Sequence, residues 1–514
     1  MPTVAVRWTL AVATIAASLA FVACGDDDDG SVPTGSGVAA LVPADALVYA
    51  DAVVRPEGDQ REHVETALGT LLGVDDPGAT IVEALEGEFA AEDTELDYAE
   101  DFEPWLGERG GVFFLNFEDD SDGAFVLEAT DDAAAQAALE RIVEAEGEPR
   151  SATYEGVEYT RNDEGDAAGL VDGFAVIGSN AGFEAAVDAS AGESLADSDS
   201  YAQALETAAD DRLVTVYAEP GNILDVAVGS GDLTDQDAAA IADAIGSSAD
   251  ESVVLCVGAD DSGFFAELAT EGEAPIGGAS DLIDRLPDDA WAAFALADAG
   301  ASAGPALLGA LAANDVLGGV FGRLQAEGVQ LGEIGGSIGD VAGWFGGTNV
   351  LGARGALIFE ATDESAAQEL LDGLQTAFSF DPRVRVSPGD AEGEAFSVGP
   401  ADVPIDFPFV LRDGLLVAGL GEQSVEQVYS PATSLEDSDA FGAATEALGD
   451  DFPVGALLDF QTLVGFFQGL NMEDEPDLNA ALPYLARLDV FAAGASEDDG
   501  STTVRFVLRP QEGE

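Results

Sequence analysis

Lysine is absent from the 514 residues, histidine occurs once (His63), and cysteine occurs twice (Cys24 and Cys256). Each shortage closes a route to chemistry. Without lysine there is no Schiff-base or lysine-base catalysis. A single histidine, in Gln60-Arg-Glu-His-Val-Glu65, leaves histidine-activated nucleophiles almost without material, and its setting reads as an exposed helical side chain. Zinc sites built from His and Cys lack ligands for the same reason. Positive charge is also scarce: 17 basic residues, every one an arginine, stand against 101 acidic ones, for a formal charge of −84. Such a chain repels nucleic acid and anionic lipid headgroups, and neither is expected as a partner. The acidity reads as a solvated surface suited to high salt or to solubility. The alternative is a carboxylate surface that collects divalent cations. What the chain has is apolar mass, with 47% hydrophobic residues and 27 Phe, enough for two or more domains with real cores.

The longest uncharged apolar run, Trp8 to Ala23 behind Arg7, falls short of the roughly 20 residues that a membrane helix needs but suits a signal peptide. It ends in Phe21-Val-Ala-Cys24, which resembles a bacterial lipobox. That resemblance implies cleavage before Cys24 and diacylglyceryl attachment to its thiol; a plain secretory signal or an uncleaved anchor is the alternative. The acidic and Gly-Ser-Pro stretch 24–40 cannot bury a core and reads as a flexible tether. Two acyl chains on one anchor give stable attachment to the outer face of the cell membrane. Cys256 lies in the apolar run Val253-Val-Leu-Cys-Val257 and reads as a buried free thiol, so the exported body carries no disulfide staple.

The body repeats itself. Phe125-Val-Leu-Glu-Ala-Thr-Asp131 returns as Leu357-Ile-Phe-Glu-Ala-Thr-Asp363, each a strand turning into a helix. The helices carry apolar stripes at Ala134, Ala138, Leu139 and Ile142, and at Ala366, Leu370, Leu371 and Leu374. Val42-Pro-Ala-Asp-Ala46 matches Leu286-Pro-Asp-Asp-Ala290, and Trp105-Leu-Gly107 matches Trp344-Phe-Gly346. Asp172-Gly173 and Asp413-Gly414 read as matched hairpin turns, and Ser194-Leu-Ala-Asp-Ser-Asp199 matches Ser434-Leu-Glu-Asp-Ser-Asp439. Order is kept throughout. The expected organisation is a signal peptide 1–23, the tether 24–40, a first repeat domain 41–273, a linker 274–281 and a second repeat domain 282–510. Short acidic turns between strands argue antiparallel pairing. The expected class is α+β, with each domain an antiparallel sheet whose helices cover one face.

The Leu-Val-Pro-Ala-Asp opening, the Trp-Leu-Gly segment, the Glu-Ala-Thr-Asp joint and the Ser-Leu-x-Asp-Ser-Asp segment together carry a resemblance. The chain is similar to the bacterial family called domain of unknown function 3352, in particular to its actinobacterial lipoprotein members. The resemblance implies an exported or membrane-attached protein and supplies no catalytic residues.

Few constellations remain. Glu118-Asp-Asp-Ser-Asp-Gly123 approaches a calcium-loop pattern but has Ala129 where the closing Glu belongs, so it reads as a hairpin turn. Asp199 and Asp439 sit where helix N-caps are expected. Trp105 and Trp344 read as core anchors, and Gly335-Gly-Ser-Ile-Gly339 lacks the lysine of a phosphate loop. The resulting expectation is a non-enzymatic, lipid-anchored extracytoplasmic protein with no catalytic or metal residues and no cofactor, its one modified residue Cys24. It would act as a scaffold or interaction module for an unknown protein. The alternatives are a carrier of an apolar ligand and a carboxylate hydrolase of envelope polymers.

Overall fold

The computed structural model describes residues 36–91, 96–116, 122–206, 208–209, 211–230, 233–234, 238–239, 252–271, 278–299, 337–380, 383–389, 393–401, 403, 405–470, 476–498 and 501–511. The expected signal peptide, Cys24, the tether up to residue 35, Glu118 to Ser121, residues 274–277 and Gly335-Gly336 lie outside them. The chain divides into two compact units, Met1–Glu273 and Ala274–Glu514. Both are α+β.

Among the described residues of the first unit, ten strands form an antiparallel sheet. They are β1 (Val48–Val53), β2 (Leu106–Phe114), β3 (Gly123–Ala129), β4 (Arg150–Tyr154), β5 (Val157–Arg161), β6 (Asp166–Val171), β7 (Phe174–Ser179), β8 (Arg212–Ala218), β9 (Val253–Asp260) and β10 (Gly263–Glu271). Their spatial order is β4-β5-β6-β7-β3-β2-β1-β8-β9-β10. A single helical turn at Ser36–Ala39, inside the stretch expected to be tether, precedes β1, and the other helices are α1 (Gly58–Leu72), α2 (Pro77–Ala91), α3 (Tyr98–Asp101), α4 (Asp132–Glu146), α5 (Asn180–Ala191), α6 (Asp199–Glu206) and α7 (Pro220–Ser230). They cover both faces of the sheet, where the sequence pointed to one. Phe183, Ala186 and Val187 of α5 and Tyr201 of α6 pack with Tyr49, Phe113 and Val126 on one face. Leu85 and Phe89 of α2, Phe102, Trp105, and Leu139 and Ile142 of α4 pack with Ala52 and Leu127 on the other. Strand residues therefore alternate between two cores, so neither face of the central strands is open to solvent. Val38 and Ala39, at the far end of the expected tether, are fully buried in the first of these cores.

The second unit holds β11 (Ala290–Leu296), β12 (Ile338–Gly346), β13 (Arg354–Ala361), β14 (Val384–Pro388), β15 (Glu394–Pro400), β16 (Phe407–Arg412), β17 (Leu415–Gly419), β18 (Val454–Asp459), β19 (Leu488–Asp498) and β20 (Ser501–Pro510). Their order is β14-β15-β16-β17-β13-β12-β11-β18-β19-β20, the order of the first unit strand for strand. Its helices are α8 (Glu364–Ser379), α9 (Glu422–Tyr429), α10 (Asp439–Leu448), α11 (Phe460–Gly469) and α12 (Pro476–Leu485). On α8, Leu371 is fully buried against Phe396, Val398 and Leu416, with Leu370 and Leu374 half-buried beside it.

The matched sequence segments have local causes. Asp131 and Asp363 cap α4 and α8, each side chain accepting from two backbone N–H groups of the first turn. Asp172-Gly173 and Asp413-Gly414 close the β6–β7 and β16–β17 hairpins with positive φ at both residues, the conformation of a type I′ turn. The two proline segments bond to the two serine segments: Leu195 N–H donates to the Val42 carbonyl at 2.8 Å, and Leu435 N–H to that of Leu286 at 2.7 Å. The helices that follow are capped by Ser198 and Ser438, whose hydroxyls accept from the N–H groups of Tyr201 and Phe441 at 3.3 and 3.1 Å. Asp199 and Asp439 are thus first-turn residues and not the caps, because each serine stands one position earlier with the shorter side chain that reaches N3.

The tryptophan match does not hold in register. Thr130 N–H donates to the Trp105 carbonyl and Thr362 N–H to that of Ser337, so Ser337 is the partner of Trp105. Trp344 faces Ala356 as Phe113 faces Ala124 and occupies the place of Phe113. Both indoles are buried all the same, at 1% and 5% exposure.

Candidate functional site

The centre of the first sheet carries an ionic pair that the sequence reading did not single out. β1 runs Val48-Tyr-Ala-Asp-Ala-Val53 between β2 and β8. Alternation puts Tyr49 and Asp51 on one face, with Ala50 and Ala52 on the other. Asp51 is 4% exposed and receives Arg109 from β2, with Nη2 to Oδ2 at 2.6 Å. Glu128 on β3 takes the Glu108 and Arg109 N–H groups at 3.1 and 3.3 Å, which fixes the bulge from which Arg109 turns inward. Tyr49 is fully buried beside the pair, Tyr201 meets it edge-on at 6.0 Å between ring centroids, and Tyr217 meets Tyr201 at 5.2 Å. The polar line then runs outward, the Tyr217 hydroxyl donating to Glu219 at 2.7 Å and sharing a hydrogen with Ser200 at 3.1 Å.

Burial, then the Asp51 carboxylate, pushes the Tyr49 phenol well above its ordinary pKa, and the same two causes raise Tyr201. These phenols stay protonated at any physiological pH and cannot serve as bases. The pair offers no nucleophile, and its carboxylate is shut off from solvent. What it can do is pin two central strands, β1 and β2, at one register, since a lone charge there would be stranded. The second unit keeps the bulge contact, Glu360 accepting from the Asp340 N–H at 3.4 Å, but has neither the ion pair nor the phenols. The shared Glu-Ala-Thr-Asp joint aligns Tyr49, Asp51 and Tyr217 with Ala293, Ala295 and Leu457, and the serine caps align Tyr201 with Phe441. The signal was legible in retrospect: a single carboxylate on the inward alternation of an otherwise apolar strand.

A cleft of about 270 Å³ opens beside α2 and α3, lined by Arg55, Gly78, Val82, Glu83, Glu86, Tyr98 and Glu103 among others. Arg55 spans it and donates to the Glu103 carbonyl at 2.9 Å. That volume is below the roughly 300–1,000 Å³ of ordinary small-molecule sites.

The residues weighed from the sequence end in separate places. His63 is half-buried on α1, not exposed, because its Nε2 turns to Asp261 at 3.0 Å across the β9–β10 turn. Cys256 is a free thiol at 1% exposure, and burial pushes its pKa up to about 11. Asp122, from the calcium-like segment, accepts from Asn116 at 2.9 Å and from Ser179 at 2.9 Å. Among the described residues no group of three or more His, Cys, Asp or Glu is placed to hold a metal ion, and no helix is long and apolar enough to cross a membrane. Cys24 lies outside the described residues.

No curated protein matches the chain. Solved structures of TP0453 are similar to part of it. Crystal forms IV and III share 9% and 10% identity over 46% of this chain and 81% of theirs, each with a TM-score of 0.23. Form I shares 10% over 47% and 80%, with a TM-score of 0.25. A family model described as "Protein of unknown function (DUF3352)" matches residues 4–300, more than half of the chain, and the protein belongs to that family.

Proposed function

We propose that this is a non-enzymatic protein, lipid-anchored through Cys24 on the outer face of the cell membrane, whose body arose by duplication of one α+β domain and serves as a scaffold or interaction module. The observation that carries the non-enzymatic reading is the sealed Asp51–Arg109 pair. Its charged and phenolic side chains are turned inward and paired, with Asp51 buried and Arg109 only 17% exposed. The duplication is supported by the identical strand order of the two units. Anchoring is supported by the Phe21-Val-Ala-Cys24 segment and the acidic stretch that follows it.

The carrier reading has a smaller claim, since the cleft beside α2 is small, at about 270 Å³, and is lined in part by Glu83, Glu86 and Glu103. Native mass spectrometry of the secreted chain, prepared without detergent, separates the two. A clean protein mass, with a protein partner recovered after crosslinking on intact cells, is the expected result. A discrete extra mass removed by organic extraction would replace the scaffold with a carrier.

A further inference from the structure

We propose that the cleft beside α2 is a binding site for a primary ammonium group on an alkyl stem, carried by a free amine or by a lysine side chain of another protein. One wall is a single face of α2: Gly78, Ala79, Val82, Glu83 and Glu86 line it, at positions i, i+1, i+4, i+5 and i+8 of the helix. The other wall is Tyr98 and Ala99 of α3. Tyr98 is buried and stacks on Phe102 at 6.4 Å between ring centroids, and Phe102 stacks on Phe89 of α2 at 5.9 Å. This row of three rings joins the two walls, and Val82 packs half-buried against the same apolar cluster. The cleft thus has a fixed, largely apolar floor beneath a polar edge.

Charge selects the head group. Three exposed residues of the lining, Glu83, Glu86 and Glu103, set their carboxylates against one guanidinium, that of Arg55. Arg55 is spent on the Glu103 backbone carbonyl and not on any of these carboxylates. α2 carries no arginine, so Glu83 and Glu86 stand as like charges one turn apart with nothing on their own helix to relieve them. Among the described residues no ion pair or hydrogen bond takes up any of the three carboxylates. Nor do they converge on a point, since no group of three such residues among those described is placed to hold a metal ion. Separated carboxylates over an apolar floor suit an organic cation better than an inorganic one.

Size selects the stem. At about 270 Å³ the cleft is too small for a drug-sized ligand but has room for one extended side chain. An alkyl stem laid along Ala79, Val82 and Tyr98 would bury its methylenes and leave its ammonium at the wet edge among the carboxylates, as long cationic side chains do on apolar surfaces. A neutral apolar ligand would gain nothing from that edge, and an anion would meet three like charges. The chain has no lysine of its own, so neither it nor a second copy can supply such a side chain.

Ligand-observed NMR titration of the Cys24→Ser chain tests the site, in about 0.3 M sodium chloride so that the field of the acidic body is screened. The probes are pentylammonium, Nα-acetyl-lysine methylamide and pentanoate, the last with a similar stem and the opposite charge. Saturable binding of at least one ammonium probe, and none of pentanoate, is expected. Glu83→Gln with Glu86→Gln should weaken it by roughly tenfold. Glu369→Gln with Asp372→Asn, an exposed acidic pair at the same spacing on α8, should leave it unchanged. Ala79→Trp, at an exposed position of the lining, should fill the cleft and abolish binding while the thermal melt is kept. No saturable ammonium binding, equal losses in the two acidic pairs, or full binding by the Ala79→Trp chain would each overturn the site. So would a preference for pentanoate, which would give the cleft to Arg55. Within a positive result, tighter binding of the lysine amide assigns the ligand to a protein side chain, and tighter binding of pentylammonium to a free amine. Neither the anchor at Cys24 nor a scaffold partner enters the titration, so the site stands or falls apart from them.

Discussion

At the scale of single residues, the Asp51–Arg109 pair fixes what can be changed. Asp51 has a side chain only 5% exposed and Arg109 one of 17%, so removing either leaves its partner charged and mostly shut off from water. Such a loss costs about 3–5 kcal/mol, whereas replacing both with apolar groups is often close to neutral. Arg109→Ala alone should therefore lower the denaturant midpoint markedly, and Asp51→Ala with Arg109→Met should restore most of it. A double variant as weak as the single one would refute the stranded-charge account. Cys256 gives the pH arm. Its thiol is raised to about 11 in the folded state from the usual 9, so the stability it contributes is complete below pH 9 and is lost as the pH climbs to 11. The shift of about two units corresponds to roughly 2–3 kcal/mol of that loss. Cys256→Ala should flatten the alkaline limb of stability while its disulfide-reagent reactivity, measured in the parent, stays negligible until unfolding.

At the scale of elements, glycines separate packing from propensity. Gly182, in the first turn of α5, lies so close to the Gly123 carbonyl that a Cβ there would fall far inside van der Waals contact with backbone. Gly442, within α10, has open space where a Cβ would stand. Gly182→Ala should destabilise by about 1–3 kcal/mol, and Gly442→Ala should stabilise by about 0.5–1 kcal/mol, both read from urea melts. Equal effects of one sign would mean that the close approach of α5 to β3 is not a constraint. These elements also show what could be read in advance. The Asp131 and Asp363 joints, the Asp-Gly hairpins and the proline–serine pairing were visible because each depends on neighbours in sequence. Trp105 and Trp344 misled because two similar tripeptides fell at opposite ends of one strand, and register is set by cross-strand partners that no short motif contains. The Asp51–Arg109 pair was missed for the same reason, its halves lying on strands separated by three helices. The covering of both sheet faces was hidden because buried strands lose the polar alternation that would mark an open face.

At the scale of the molecule, charge governs behaviour. A formal charge of −84 makes self-repulsion a standing cost that counterions relieve. Melting temperature should rise with sodium chloride, and calcium chloride at equal ionic strength should add nothing more. A calcium increment beyond screening would reveal a cation site. The proposed function turns on whether the chain is held at the cell surface through Cys24, and the most direct measurement is the intact mass of the protein recovered from the membrane fraction of its own cells. The account predicts a chain that begins at Cys24 and carries diacylglyceryl mass on that residue, released from the membrane by Cys24→Ala. An unmodified N-terminus at another position, or a Cys24→Ala protein that remains as firmly bound after its signal is cut, would contradict it.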